Sequence, residues 1–134
     1  MSWKAKVLVV ANQTADSTEL IDAMCARAAR SPADFLLVLP RKGTDQAGAV
    51  LVLGGALERM HEAGLAVDGL VGDSDPLVAV NEAWDPSRFD EVIVSTLPTH
   101  SSRWLLIDLP HRVANVTGAS VTHVVARSGV PAGR

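Results

Sequence analysis

With 134 residues, 48% of them hydrophobic and 20% charged, the chain has the length for one domain with a substantial core and is too apolar for a disordered segment. A formal net charge of −3 without a basic block argues against nucleic acid as the main partner, and a single cysteine, Cys25, excludes an internal disulfide. Aromatic residues make up only 4% and tyrosine is absent, so the core must be built from Val, Leu, Ile and Ala.

Taken in chain order, Lys6–Ala11 ("KVLVVA") is an unbroken β-rich run of the kind that forms a strand buried on both faces. Asp16 followed by Glu19 predicts a reciprocally capped helix start. Leu20, Ile21, Met24, Cys25, Ala28 and Ala29 then recur at helical spacing, which places the Cys25 thiol in a buried stripe. "SPAD" ends this helix, and Phe35–Pro40 ("FLLVLP") is a second buried strand. "RKGTDQ" is a polar turn before a helix over 45–64 that carries Val50, Leu53, Leu57 and Met60. Gly48, Gly54 and Gly55 within it suggest close approach to a sheet, and Gly64 marks its end. "AVDGLVGD" is a third, more polar strand suited to a sheet edge. Asp75 caps a short helix with Pro76 in its first turn, carrying Leu77, Val80 and Trp84. "EVIVS" at 91–95 is a fourth strand, followed by the polar loop "TLPTHSSR" at 96–103. Trp104–Ile107 ("WLLI") is either a packed turn or a lid or interface segment. Asp108 and Pro110 open a helix that Gly118 terminates; "SVTHVVA" is the fifth strand, and 128–134 reads as a loose tail.

Strands alternating with helices five times specify a single α/β domain over 1–134: a three-layer α/β/α sandwich around a five-stranded parallel sheet. No apolar run reaches membrane-spanning length, and "MSWKAKVLVV" shows no signal-peptide cleavage region; the expectation is a cytoplasmic protein with no membrane contact.

Nothing in the chain reads as a catalytic or metal centre. There is no Gly-x-Ser-x-Gly elbow and no phosphate-binding P-loop. The four histidines lack metal-ligand spacing, so no metal is expected. His61, Glu62, His111 and Arg112 read as solvated helix positions. His100 and Ser101 are adjacent, a poor geometry for a base and its nucleophile.

The element order, the helix starting just after the first strand, "VGDSDPLVAV" and "FDEVIVST" together resemble the universal stress protein family over residues 5–126. "VGDSDPLVAV" is similar to that family's Gly-Asp-Pro stretch, with "SD" inserted between Asp73 and Pro76. The resemblance implies the universal stress protein, or adenine nucleotide α-hydrolase-like, fold with strand order 3-2-1-4-5. Strands one and four then flank a topological switch point, where such sheets bind ligands. The loops carrying Asn12, Gln13 and Thr14 and carrying Thr96, His100, Ser101, Ser102 and Arg103 would face each other across it, and these eight are the candidate ligand-binding residues. The family's ATP-binding members carry glycines after the fourth strand. Here no glycine lies between Gly72 and Gly118; Ser95, Pro98 and Ile107 or Asp108 fall at those places, with Asp108 at or beside the family's phosphate-contacting hydroxyl. Side chains there deny backbone N–H groups a close approach to phosphate, and a carboxylate would repel it, so no cofactor and no tight ATP binding are expected.

The resemblance therefore implies a non-catalytic regulatory module whose cleft takes a nucleotide or small anion. Two alternatives stand beside it: an interaction module with a degenerate cleft that acts through a protein partner, and a small hydrolase using the 96–103 loop. The last strand would be a sheet edge, and its Val121, His123, Val124 and Val125 are the candidate interface of a homodimer, the family's frequent arrangement.

Overall fold

The computed structural model describes residues 4–98 and 102–126. The chain runs β1 (Ala5–Val10), α1 (Thr18–Arg30), β2 (Ala33–Pro40), α2 (Gln46–Glu62), β3 (Val67–Gly72), α3 (Pro76–Ala83), β4 (Glu91–Thr96), α4 (Arg103–Leu106), α5 (Leu109–Thr117) and β5 (Ser120–Val125). The five strands form one sheet in the order β3-β2-β1-β4-β5, every pairing parallel. Arg127 and the 128–134 tail, with Thr99, His100 and Ser101 of the β4–α4 loop, lie outside the described residues.

Alternation along the inner strands sorts the core into two layers. Val7, Val9, Leu37 and Leu39 meet Leu20 and Met24 of α1 and Leu53 and Met60 of α2. Leu8, Val10, Val38, Val92 and Val94 meet Ala79 and Val80 of α3 and Leu109 and Val113 of α5. Period-2 side-chain alternation in a strand apolar on both faces is what allows one run, "KVLVV", to serve both layers.

Several local expectations are corrected. Ser17, not Asp16, caps α1: its Oγ accepts the Leu20 N–H at 3.2 Å, and Asp16 instead lies 3.8 Å from Arg59. Within α1, Arg27 is buried and Ala29 exposed, while Cys25 is only half-buried. Val50 faces solvent, as do Leu51 and Val52, because α2 is apolar all round and its inner positions are Ala49, Leu53, Ala56 and Met60. Gly54 and Gly55 stand in open space and do not bring α2 onto the sheet. That close approach belongs to the strand: a Cβ on Gly69 would sit 2.7 Å from Leu53 Cδ1. Asp108 occupies the cap position of α5 but makes no side-chain cap bond, since its backbone is left-handed (φ 55°) at the sharp junction with α4. Trp104–Ile107 is largely a short helix whose Trp104 packs on the second core layer. Asp75 caps α3 as expected, accepting the Leu77 N–H at 2.9 Å with Pro76 in the first turn.

Candidate functional site

All five strands point their carboxyl ends the same way, and the crossovers from β1 and β4 leave in opposite directions. Between their loops lies a cleft of about 500 Å³ lined by Asn12, Gln13, Thr14, Arg41, Lys42, Gly43, Ser74, Ser95, Thr96, Leu97, Ser102, Arg103 and Trp104. It is the position at which an open parallel α/β sheet binds its ligand.

Four of the hydroxyls that line the cleft are already held by hydrogen bonds. Thr14 Oγ1 and Ser95 Oγ lie 2.6 Å apart and are buried, tying the β1–α1 loop to β4. The loop itself turns through the Ala15 N–H to Asn12 carbonyl and Ser17 N–H to Thr14 carbonyl bonds. Thr96, on the opposite face of β4 from Ser95, has its Oγ1 2.8 Å from Nε2 of His123 on β5. Ser102 is buried, and its Oγ accepts the Leu105 N–H at 3.2 Å, which starts α4 and sets Arg103 at the cleft mouth.

The electrostatics of the lining are one-sided. Arg41, Lys42 and Arg103 line the cleft, and among the described residues no carboxylate does. Arg41 is positioned by its own loop: Nε donates to the Gly43 carbonyl at 3.1 Å and Nη1 to the Gly72 carbonyl at 3.2 Å, with Asp73 4.0 Å from Nη2. Lys42 and Arg103 are exposed. Asp108, expected from the sequence beside the phosphate position, is not a lining residue; it lies at the surface 4.0 Å from His111. The repulsion argued from its carboxylate therefore does not apply to this cleft.

Of the eight residues expected to form the site, the structure brings together Asn12, Gln13, Thr14, Thr96, Ser102 and Arg103, while His100 and Ser101 lie outside the described residues. The hydroxyls of Thr14, Thr96 and Ser102 are already engaged, so their free bonding capacity is smaller than the sequence suggests. Arg41, Lys42, Ser74, Ser95 and Trp104 are additions. The signal for Arg41 and Lys42 was present: they directly follow β2, the neighbour of β1, so the rule that placed the other two loops covers this one.

Among the described residues no three of His, Cys, Asp and Glu converge as a metal-binding group, and no helix is long and apolar enough to cross a membrane. Partial burial pushes the pKa of His123 below its ordinary value. A histidine with a depressed folded pKa stabilises the fold above its unfolded value, near 6.5, and that contribution fades as the pH falls through the folded value. Wild-type stability should thus drop below about pH 6.5 more than that of His123→Leu, and urea titrations at several pH values read the difference.

No protein-family model matches the sequence, and none of the curated proteins matches it significantly. Solved structures do. A universal stress protein in complex with cAMP superposes with a TM-score of 0.67 at 23% identity, over 95% of this chain and 100% of that one. A universal stress protein from Archaeoglobus fulgidus gives 0.66 at 11% identity, over 90% and 93%. A universal stress protein family protein from Arabidopsis thaliana with AMP bound gives 0.66 at 14% identity, over 92% and 93%. At these identities the likeness establishes the fold, which is that of the universal stress proteins.

Proposed function

We propose that the chain is a non-catalytic regulatory module of the universal stress protein type, cytoplasmic and dimeric through β5, whose switch-point cleft binds a nucleotide bearing few phosphates, or a comparable small anion. One observation carries the reading: among the described residues the cleft is lined by Arg41, Lys42 and Arg103 and by no carboxylate, in a chain whose net charge is −3. Two structures of the same fold hold cAMP and AMP, ligands of the class proposed. The β4–α4 loop contains no glycine, so phosphate recognition here falls to side-chain cations and not to a backbone cradle. A long triphosphate gains little from such a site, and tight ATP binding is not expected.

A second reading is favoured by the occupied hydroxyls of Thr14, Ser95 and Thr96: an interaction module whose cleft is idle. Calorimetry separates the two. AMP and cyclic AMP are expected to bind, and Arg103→Ala to weaken them by about 1.5–3 kcal/mol, the range for a hydrogen bond to a charged group. Heat-silent titrations with AMP, cyclic AMP and ATP alike would favour the idle cleft, and micromolar ATP binding would refute the expectation for triphosphates. Mass spectrometry of small molecules released from the purified protein identifies any resident ligand directly.

A further inference from the structure

We propose that His123 sets the hydrogen-bonding polarity of Thr96 in the cleft, so that protonation of His123 strengthens the binding of an anion there. The inference rests on the anion-binding reading of the cleft and adds a regulator that lies outside its lining.

The geometry is direct. Thr96 lines the cleft, yet its Oγ1 is 2.8 Å from Nε2 of His123, which stands on the edge strand β5 and is not a lining residue. Register places His123 beside Val94, two residues before Thr96, and the Ala126 N–H to Thr96 carbonyl bond of 2.9 Å locks the two strands at this point. A threonine hydroxyl has one proton to donate. When neutral His123 presents an unprotonated Nε2, the Thr96 O–H donates to it, and only oxygen lone pairs remain for the cleft. These repel an anion. When His123 is protonated, Nε2–H must donate to Thr96 Oγ1, and the hydroxyl proton is released toward the cleft, where it can bond to an anionic oxygen. The same step adds a positive charge one side chain away from the ligand. Both effects have the same sign.

His123 is exposed on β5 of the single chain, and pairing of β5 with its own copy would engage backbone groups at the sheet edge while the imidazole stands on a face of the sheet beside Thr96. The charged groups on the elements packed against β5 do not pin it. α5 brings His111 and Arg112, with Asp108 at its start; α1, on the other face, brings Glu19, Asp22, Arg27 and Arg30; β4 brings Glu91, which Arg27 holds at its far end. Burial alone shifts His123, in the direction that keeps it neutral at neutral pH, so the anion-favouring form is populated on acidification.

Cyclic AMP is a suitable probe because its phosphodiester carries one constant charge between about pH 5 and pH 8, the interval in which histidine titrates. Its affinity for the wild-type protein is expected to rise about tenfold from pH 8 to pH 5, and His123→Leu and Thr96→Val should each abolish the rise. Nuclear magnetic resonance titration of the imidazole supplies a test without ligand: Thr96→Val should change the tautomer balance and titration midpoint of His123, and cyclic AMP should raise that midpoint in the wild-type protein. An unchanged midpoint in Thr96→Val, or the same pH dependence of binding in His123→Leu as in the wild type, overturns the proposal. If cyclic AMP fails to bind at any pH, the nucleotide reading falls. Sulfate then replaces it as a non-titrating anion, and the same pH comparison still decides the role of His123.

Discussion

Arg27→Met is expected to lower the stability of the fold by about 2–3 kcal/mol. Arg27 sits in the last turn of α1 with its side chain only 9% exposed, and Nε donates to Glu91 Oε1 at 2.9 Å. Its Nη1 donates to the carbonyl and Oγ of Ser31, at 3.3 and 3.0 Å, where α1 ends. One guanidinium thus joins the end of α1 to the start of β4, and its hydrogen bond to Glu91 is the main cause that raises its pKa above the ordinary value. Methionine fills the volume but leaves Glu91 without its cation. Removing one partner from a fully buried pair costs about 3–5 kcal/mol; the figure here is discounted because the Glu91 side chain is 24% exposed and water can reach it. The companion variant Glu91→Gln keeps a hydrogen-bond acceptor for Nε and should cost less, and the double variant Arg27→Met/Glu91→Leu should recover part of the loss, since it leaves no orphaned charge. Urea denaturation of the four proteins checks the order. Equal losses for Arg27→Met and for the surface control Arg30→Met would show that the pair contributes nothing.

That interaction also marks what could be read from the residues alone. Runs such as "KVLVVA" and "FLLVLP" announce strands buried on both faces because they are short, almost wholly apolar and bounded by polar or turn residues, and from them the sheet follows. The helix faces were harder. In α1 a period-3.6 stripe placed Leu20 and Met24 correctly but gave no reason to bury Arg27, since its partner Glu91 is 64 residues away. In α2 nearly every residue of "AGAVLVLGGAL" is apolar, so periodicity could not choose between Val50 and Ala49. Ala49 and Ala56 share the inner positions with Leu53 and Met60, and the absence of a side chain at Gly69 of β3 makes room for Leu53 and Leu57. The cleft was legible to the extent that topology dictates it. The switch-point rule places the loops after β1 and β4, whereas "RKGTDQ", which holds Arg41 and Lys42, carries only the local signal of a polar turn. The engagement of Thr96 by His123 depends on register between β4 and β5, which no local pattern encodes.

A proline at Val125 is expected to convert the proposed dimer into monomers while leaving the sheet intact. Among the described residues β5 is the last strand of the sheet and pairs only with β4, and Thr122, His123 and Val125 are exposed on it. The Ala126 N–H bonds to the Thr96 carbonyl, so residue 126 turns its backbone groups toward β4. Backbone groups alternate sides along a strand, which turns those of Val121, His123 and Val125 outward. Those outward N–H and C=O groups have no partner among the described residues, and such a row is the feature by which one sheet recruits another. A two-fold axis across this edge pairs β5 with its own copy in antiparallel fashion, satisfies the row from both sides, and covers Val125, whose side chain is 37% exposed. Proline removes one outward donor and blocks the approach of a second strand, yet it is tolerated on an edge because no bond to β4 is lost. Val125→Lys attacks the same contact through the side chain, placing two like charges near the axis. Light scattering should therefore give twice the chain mass for the wild-type protein and the single-chain mass for both variants, with unchanged circular dichroism. A monomeric wild-type protein rejects the dimer. A dimer that survives both substitutions rejects β5 as its interface and moves the search to another face, of which the exposed Val50, Leu51 and Val52 of α2 are the most apolar.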